Sequence, residues 1–466
     1  MASAYLTSNT GTATNANKFT LSMWLKRSSL SGTTAQRFYQ GYQNGNNRFY
    51  AMFDGTNSFP DRLWIYNVIG GATKLYWVST RKFRDLNAWY HIVFSADSTQ
   101  GTEADRFKVY INGVEETGWT KTNNQPQNIN WGNQLAQTNN DLTISGTESQ
   151  TQPFDGQIAH VNFIDGTAYA PTVFGETDAT TGIWKPKTSP SVTYGNNGYF
   201  LKFDNSGNMG LDSSGENNNF TTIGSIIQQK DTPSNVYCTL NPLDFGGTST
   251  SNASLSNVNM TPVSGSAAWK SVHGTLGMAT GKWYWEAKQI GTGSGSTGHI
   301  YGICDQQYNT DDDPNNGTPN AKFYGKQGSI RYNNDSGTAS FFTPIPSDGD
   351  IFMMAFNATD GKLWFGLNGT WQNSNGSANN VSYASTTLNP SYPDFTGLTV
   401  DTSKAGIYVP IFGSYGSGSM NVNFGNGFFG TTAITSAGSN GNGSLFEYDV
   451  PTGYYALNTK NLGTQS

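Results

Sequence analysis

Short runs in which hydrophobic and polar side chains alternate recur along most of this chain, separated by clusters of Gly, Asn, Ser and Asp. Alternation with period two puts successive side chains on opposite faces of an extended strand, so the pattern predicts strands and turns rather than helices. From Lys18 the predicted strands are KFTLSMWLKR, RFYQGY, NRFYAMF, RLWIYNV, KLYWVS, WYHIVFSA, RFKVYING, DLTISG and FDGQIAHVNFIDG. In WYHIVF, Trp89, His91 and Val93 fall on one face and Tyr90, Ile92 and Phe94 on the other, so both faces are largely apolar, as in a strand at the middle of a fold. Arg106 to Glu116 (RFKVYINGVEE) and Asp360 to Trp371 (DGKLWFGLNGTW) read as hairpins closed across Asn112-Gly113 and Asn368-Gly369. An Asn-Gly pair tolerates the positive φ angles that a two-residue type I′ turn demands.

The series predicts an all-β chain of two tandem β-sandwiches. Length agrees, because single cores stop growing beyond about 250–300 residues and this chain has 466. Gly 55 and charged residues at 12% suit turns and solvated strand faces, while 12 Trp, 24 Tyr and 27 Phe supply large buried areas where aliphatic residues are few. The expected division is 1–245 for the first sandwich, with 194–245 as its closing segment, a low-complexity boundary at 246–262, and 263–466 for the second.

Charge and hydropathy exclude some partners. A net charge of −6 with 26 Lys+Arg scattered along the chain gives no basic stripe for a phosphate backbone, so no nucleic acid is expected. The longest apolar run, Ile351 to Phe356, is far short of the ~20 residues of a membrane helix, so no membrane insertion is expected. MASAYLTSNTGTATNANKF lacks a basic n-region followed by an apolar h-region, so signal-peptide export is not expected. Cys238 and Cys304 read as unbridged members of different structural units, with Cys304 in HIYGICD a small buried residue on a strand.

Several ordered motif sets resemble known families. FTLSMWLK, WYHIVFS, KVYINGVEE and FDGQIAHVNFIDGTAYAP, over residues 1–175, resemble the concanavalin A-like or laminin-G-like jelly roll, whose members bind glycans or proteins and include some glycoside hydrolases. GYFLKF, LDSSG with NNNFT, DTPSN and TLNPLD, within residues 194–247, resemble a segment of tailed-bacteriophage virion and tail-fibre proteins that closes a lectin-like sandwich. GKWYWEAK, GHIYGICD, GDIFMMAFNATDGKLWFGLNGTW and a terminal Asn423-Phe424-Gly425 strand, over residues 269–455, resemble the SPRY domain, with Trp283, Trp285 and Glu286 at its first motif. That resemblance implies a binding module using loops at one end and carries over no catalytic residue. Two insertions depart from the pattern, Asp305 to Lys326 and Gln372 to Thr399.

Candidate chemistry is sparse. Three E-x-D pairs, Glu103/Asp105, Glu176/Asp178 and Glu447/Asp449, lack the final glutamate of the E-x-D-x-x-E glycosidase pattern, with Lys108, Thr181 and Thr452 in its place. No catalytic residue is assigned, and the chain is read as a binder and not an enzyme. His91, His160, His273 and His299 show no ligand spacing, and His160 is placed with Asn162 on a polar face. NTDDDPNNG offers hard oxygen ligands, with Asp305, Asp311 and Asp313 as the candidate calcium set, but as an EF-hand its glycine is one place late and Lys322 stands where the glutamate belongs. A hydrated acidic loop without cofactor is the favoured reading. Gly-rich GTGSGSTG lacks the Lys-Ser/Thr of a phosphate loop and reads as a hairpin loop.

The remaining candidates are aromatic residues in polar stretches, Trp119, Trp131, Tyr332, Trp371, Tyr383 and Tyr415, whose flat rings could stack on sugars. The recognition surface is placed on the two insertions with Tyr332 and Tyr415. Taken with the resemblances, these features imply a bacteriophage virion surface protein, made in the host cytoplasm and present in several copies or as a homo-oligomer, that binds host-surface glycan or another virion protein. Two rivals are a purely structural capsid or tail component and a glycan-degrading enzyme.

Overall fold

The computed structural model describes residues 4–465 apart from 33, 56–58, 122–124, 132–134, 136–140, 148–150, 248–252, 258–259, 265, 292–298, 306–309, 311–320, 326–328, 333–345, 375–383, 395–405 and 417. Two compact units, Met1–Gln228 and Gln229–Ser466, divide the chain. Among the described residues no helix is long and apolar enough to cross a membrane.

In the first unit the strands are β1 (Tyr5–Asn9), β2 (Lys18–Arg27), β3 (Gln36–Asn44), β4 (Asn47–Phe53), β5 (Arg62–Ile69), β6 (Ala72–Lys82), β7 (Tyr90–Asp97) and β8 (Phe107–Ile111). They continue as β9 (Val114–Glu115), β10 (Trp119–Lys121), β11 (Asp141–Ile144), β12 (Gly156–Asp165), β13 (Gly175–Thr177), β14 (Trp184–Pro186), β15 (Tyr199–Leu201) and β16 (Thr221–Ile223). An eight-stranded sheet, β10-β6-β5-β4-β3-β11-β1-β16, packs on a six-stranded one, β15-β12-β2-β7-β8-β9. Alternation decides what lies between them: Phe19, Leu21, Met23 and Leu25 from β2 meet Phe49, Ala51 and Phe53 from β4 in one core. Phe19 is edge-on to Phe49 with ring centroids 6.2 Å apart, and the Tyr199 hydroxyl donates to the Tyr39 hydroxyl across the sandwich at 3.1 Å. As expected, β7 is internal, flanked by β2 and β8.

The outer face of the six-stranded sheet is covered by the chain that follows β12. Ile164, Phe174, Tyr194 and Phe200 form a small second core there. Within residues 205–220 the Asp212 carboxylate accepts the backbone N–H groups of Phe200, Ser214 and Asn218 at 2.8, 2.8 and 2.9 Å, and Asn218 donates to the Asn196 and Gly198 carbonyls. The LDSSG and NNNFT motifs are therefore a hydrogen-bonded cap rather than a linker.

The second unit contains β17 (Leu240–Gly247), β18 (Ala253–Ser256), β19 (Thr261–Ser264), β20 (Ser266–Gly274), β21 (Lys282–Ile290), β22 (His299–Asp305), β23 (Ala321–Gly325) and β24 (Ser329–Tyr332). Then come β25 (Ile351–Asn357), β26 (Lys362–Leu367), β27 (Thr370–Trp371), β28 (Tyr408–Gly416), β29 (Ser419–Asn423), β30 (Phe428–Phe429), β31 (Thr432–Ala433), β32 (Tyr455–Ala456) and helix α1 (Thr459–Gln465). One sheet runs β17-β20-β28-β22-β23-β24; the other runs β18-β19-β29-β21-β25-β26-β27, with β32 parallel to β21. Trp283, Trp285, Phe352, Phe356 and Phe365 of the second sheet share a core with Tyr301, Ile303 and Phe412 of the first.

Three sequence expectations need correction here. DTPSN and TLNPLD belong to the second unit: Val236 and Thr459 exchange hydrogen bonds (Thr459 N to Val236 O at 2.9 Å, Val236 N to Thr459 Oγ1 at 3.0 Å), and β17 pairs with β20. Residues 235–238 thus zip to the C-terminal strap, which a linear reading of motifs could not show. The low-complexity tract contributes β18, an edge strand, and polar residues suffice there because an edge buries little. Cys238 and Cys304 are not joined in a disulfide and are both buried in this same unit, with Cys304 on β22 as expected.

Both Asn-Gly turns form. Asn112 and Gly113 have φ of 50° and 83°, and Asn368 and Gly369 have 48° and 84°. Residues 292–298 of GTGSGSTG lie outside the described residues, but the flanking β21 and β22 belong to different sheets, so this is a crossover and not a hairpin.

Candidate functional site

The outer face of the eight-stranded sheet is built by four consecutive strands whose outward positions carry rings. In β4, β5 and β6, the residues Phe49 and Ala51, Leu63 and Ile65, and Leu75 and Trp77 point into the core. Their neighbours Tyr50, Trp64, Tyr66 and Tyr76 point the other way and are half-buried. Register aligns them: Gln40 opposes Tyr50, Tyr50 opposes Tyr66, and Tyr66 opposes Tyr76. A second row, Met52, Trp64 and Val78, runs beside the first. Ring centroids are 6.1 Å apart for Tyr50 and Tyr66, 5.9 Å for Tyr66 and Tyr76, and 5.2 Å for Trp64 and Tyr76. Three strands at ~4.8 Å spacing make a platform about 10 Å across.

Guanidinium groups flank the rings. The Arg37 guanidinium carbon sits 3.7 Å from the Tyr50 ring centroid, and its Nη2 donates to Gln152 Oε1 at 2.7 Å. Arg48 lies 5.3 Å from the Tyr66 ring and 5.9 Å from the Tyr50 ring. Arg37 is buried, bonded to Gln40 and Gln152, and serves to brace the Tyr50 ring. Arg48 is half-buried, and stacking of this kind holds its long side chain in place while its charge can reach a ligand. Burial raises the Tyr76 hydroxyl above the ordinary phenol range, with Asp54 adding to the effect, so it stays neutral and can donate a hydrogen bond.

The residues singled out by sequence lie elsewhere. Trp131 is 1% exposed, wedged in the first core 5.5 Å from Phe19 and 5.7 Å from Phe107. Trp371 is also 1% exposed, on β27 in the second unit, 6.1 Å from Tyr284. Neither ring can stack on a ligand from solvent; polar sequence neighbours do not prevent a ring from packing under the turn they form. Trp119 is half-buried at the sheet edge, against Trp77, with its indole N–H on the Glu116 carbonyl at 2.6 Å. Tyr332 and Tyr415 lie on β24 and β28, strands rather than loops, and Tyr383 lies outside the described residues.

Of the candidate calcium ligands, Asp305 is buried at the end of β22, while Asp311 and Asp313 lie outside the described residues. Among the described residues no group of three or more His, Cys, Asp or Glu could hold a metal ion.

The insertion at Gln372 to Thr399 is also not the free loop expected, as far as it is described. Asp394 accepts the backbone N–H groups of Phe365 (2.6 Å) and Ser374 (2.8 Å), and the Trp364 indole donates to the Asn389 carbonyl at 3.0 Å. These contacts tie residues 385–394 onto the sheet.

Other titratable groups serve the fold. Glu103 and Glu447 accept backbone amides of Gln125 and Thr435, and Asp178 pairs with Lys185 at 2.7 Å. Glu286, fully buried, accepts the N–H groups of Glu447 and Tyr448, each at 2.9 Å, and the Tyr284 hydroxyl at 2.8 Å. That explains why a glutamate follows Trp285 in the KWYWE strand: it fastens the C-terminal strap. His91 is stacked on Trp24 at 4.5 Å; its Nδ1 accepts the Trp184 indole N–H at 2.9 Å, which leaves Nε2 to donate to Ser22 Oγ at 2.8 Å. His160 sits at a bulge in β12 with φ of 47°, while Val161 and Phe163 face the core as expected.

Sequence reasoning missed the sheet-face rings because NRFYAMF, RLWIYNV and KLYWVS carry large side chains at both parities. Such a strand reads as one buried on both faces. The available signal was chemical: the inward parity is mostly aliphatic or Phe, with Trp77 an exception, while Tyr, Trp and Arg, side chains with polar tips, gather on the outward one beside Met52 and Val78.

Among solved structures, the chain is similar to the SPRY domain of human HERC1 (15% identity, 39% of this chain and 96% of that chain, TM-score 0.27). It is also similar to domain 4 of AbnA, a GH43 extracellular arabinanase from Geobacillus stearothermophilus (19% identity, 33% and 64% covered, TM-score 0.23). A third likeness is to a heptameric pentraxin from Limulus polyphemus (15% identity, 36% and 78% covered, TM-score 0.23). No curated protein matches the chain in sequence. Residues 1–174 match the model of the family Laminin_G_3, described as the concanavalin A-like lectin/glucanases superfamily, so that part of the chain is similar to this family.

Proposed function

We propose that this chain is a glycan-binding protein displayed on the particle of a tailed bacteriophage, with the outer face of its eight-stranded sheet as the binding surface. The observation that carries the binding reading is the platform of Tyr50, Trp64, Tyr66 and Tyr76. Aromatic rings take the apolar face of a sugar while phenol, amide and guanidinium groups bond its hydroxyls. The lectin-type match over residues 1–174 supports the same reading. The particle-surface reading is supported by the ordered motifs between residues 194 and 247, which resemble virion and tail-fibre proteins. Its further partners would be other virion proteins, with the chain present in several copies.

Binding of the purified chain to immobilised glycans tests the first part. Trp64→Ala with Tyr66→Ala should weaken binding by about tenfold or more, the loss expected when central aromatic anchors go. Unchanged binding by a variant that still unfolds cooperatively would remove the platform from the site. For the second part, antibodies to the chain should decorate intact particles and block adsorption to host cells. Particles that adsorb normally under saturating antibody would favour a structural role.

A further inference from the structure

We infer that the glycan taken by this face is an acidic polysaccharide, one carrying carboxylates along its length; the inference rests on the glycan-binding reading of the same surface. Residues 36–82, which build β3 to β6, hold Arg37, Arg48, Arg62, Lys74, Arg81 and Lys82 against only two carboxylates, Asp54 and Asp61. Both carboxylates are buried, and Asp61 is committed to Arg27 at 3.1 Å and Arg84 at 3.0 Å. Arg81 is paired with Glu116 at 2.7 Å. Arg37 is buried and bonded to Gln40 and Gln152. Arg48, Arg62, Lys74 and Lys82 remain, on strands with no acidic residue, in a chain whose net charge is −6. The excess is therefore local, on the sheet that carries the rings.

Chemistry and geometry agree on what would fit. A guanidinium held beside a ring, as Arg48 is beside Tyr66 and Tyr50, can pair with a carboxylate in a fork while the ring stacks on the sugar bearing it. A neutral glycan would offer these groups hydroxyls but no charge to pair with. Single-stranded nucleic acid also combines rings with anions. It is disfavoured because a strand of nucleic acid needs a basic groove that tracks its backbone, and the 26 Lys+Arg are scattered along the chain.

The experiment compares three polymers on the intact chain: polygalacturonate, the same polymer fully methyl-esterified and so uncharged, and single-stranded DNA. Polygalacturonate should bind at least about tenfold tighter than its ester, with the advantage shrinking as salt shortens the screening length from about 10 Å to about 3 Å. The variant combining Arg48→Gln, Arg62→Gln and Lys74→Gln should lose that advantage and its salt dependence, so that acid and ester bind alike. Equal, salt-independent binding of acid and ester would overturn the inference yet leave the glycan reading standing. Binding of neither, at any salt, removes both. Tighter binding of DNA, or an advantage that survives the triple variant, would also refute it.

Discussion

In the first unit the outer face of the larger sheet leaves Trp64 and Tyr66 half-exposed, while in the second unit the outer face of its larger sheet places Trp364 and Tyr284 under later parts of the chain. There Phe446, Val450 and Tyr454 of the C-terminal strap, with Leu388, cover the rings, and the second unit gains an additional core. The same residue types on the same kind of face thus have different fates, decided by whether the chain returns across them. Returning requires anchors, and Glu286 and Asp394 supply them by holding backbone N–H groups of residues 447, 448, 365 and 374. The rings of the first unit stay half-buried, so part of each large aromatic side chain is held where a ligand can reach it.

The largest effect should separate Trp364 from Trp64. Trp364→Ala removes a ring that is 1% exposed and should cost about 3–5 kcal/mol. Trp64→Ala, on the open face, should cost about 1 kcal/mol. Denaturant unfolding followed by hydrogen exchange, which reports each unit separately, measures both. Equal costs would mean that Trp64 is a core residue, and the platform would lose its claim to be a site.

What the sequence made legible follows the same division. Strand alternation, the two Asn-Gly turns and the sandwich class depend on residues close together in the chain, and local spacing reports them. The strap against residues 235–238, Glu286 as its anchor, and Trp131 and Trp371 as core rings depend on partners far apart in sequence. Trp131 and Trp371 misled because their neighbours are Asn, Gly and Gln, which describe the turn and not the ring. Tyr50, Trp64 and Tyr66 were passed over for the opposite reason: hydrophobic on both parities, their strands gave no polar face to mark the outside. Register, which the sequence does not state, is what assembles those rings into a platform.

The two units should also respond to pH in opposite directions. Burial, with His160 nearby, holds His91 down at about 3 from an ordinary 6.5, and protonation would set an N–H against the Trp184 indole N–H. The unfolded chain then takes up that proton more readily, so this contribution to the first unit is lost as pH falls from about 6.5 towards 3. In the second unit burial pushes Glu286 and Asp394 up to about 7, against the N–H groups they accept. Here the folded unit holds the protons, so the contribution of Glu286 is full below about 4.5 and that of Asp394 below about 3.8, and both are lost as pH rises towards 7. Unfolding midpoints between pH 4.5 and 6.5 should therefore fall with acid for the first unit and rise for the second, and Glu286→Gln should flatten the second trend. Parallel trends would show that the hydrogen bonds to Glu286 and Asp394 outweigh their burial.

The smallest effect tests the device the two units share. In each Asn-Gly turn the asparagine pairs with a residue of the neighbouring strand through both backbone and side chain: Asn112 N donates to His91 O at 2.9 Å and accepts His91 N on Oδ1 at 2.7 Å. Asn368 does the same with Ile351, both at 2.9 Å. Each following glycine has positive φ and lies under a ring, Trp184 over Gly113 and Tyr448 over Gly369. Alanine at either site takes on the left-handed penalty, about 1–2 kcal/mol. It must also find room for a Cβ, which would lie 2.9 Å from the nearest Trp184 atom in Gly113→Ala and 3.1 Å from the nearest Tyr448 atoms in Gly369→Ala. Trp184 is itself held by His91 and lies closer to the added Cβ, so Gly113→Ala should cost more than Gly369→Ala by a few tenths of a kcal/mol. Following Gly113→Ala with Trp184→Phe separates the two causes. If the smaller ring recovers nothing, backbone strain accounts for the whole cost, and the two turns are energetically alike despite their different covers.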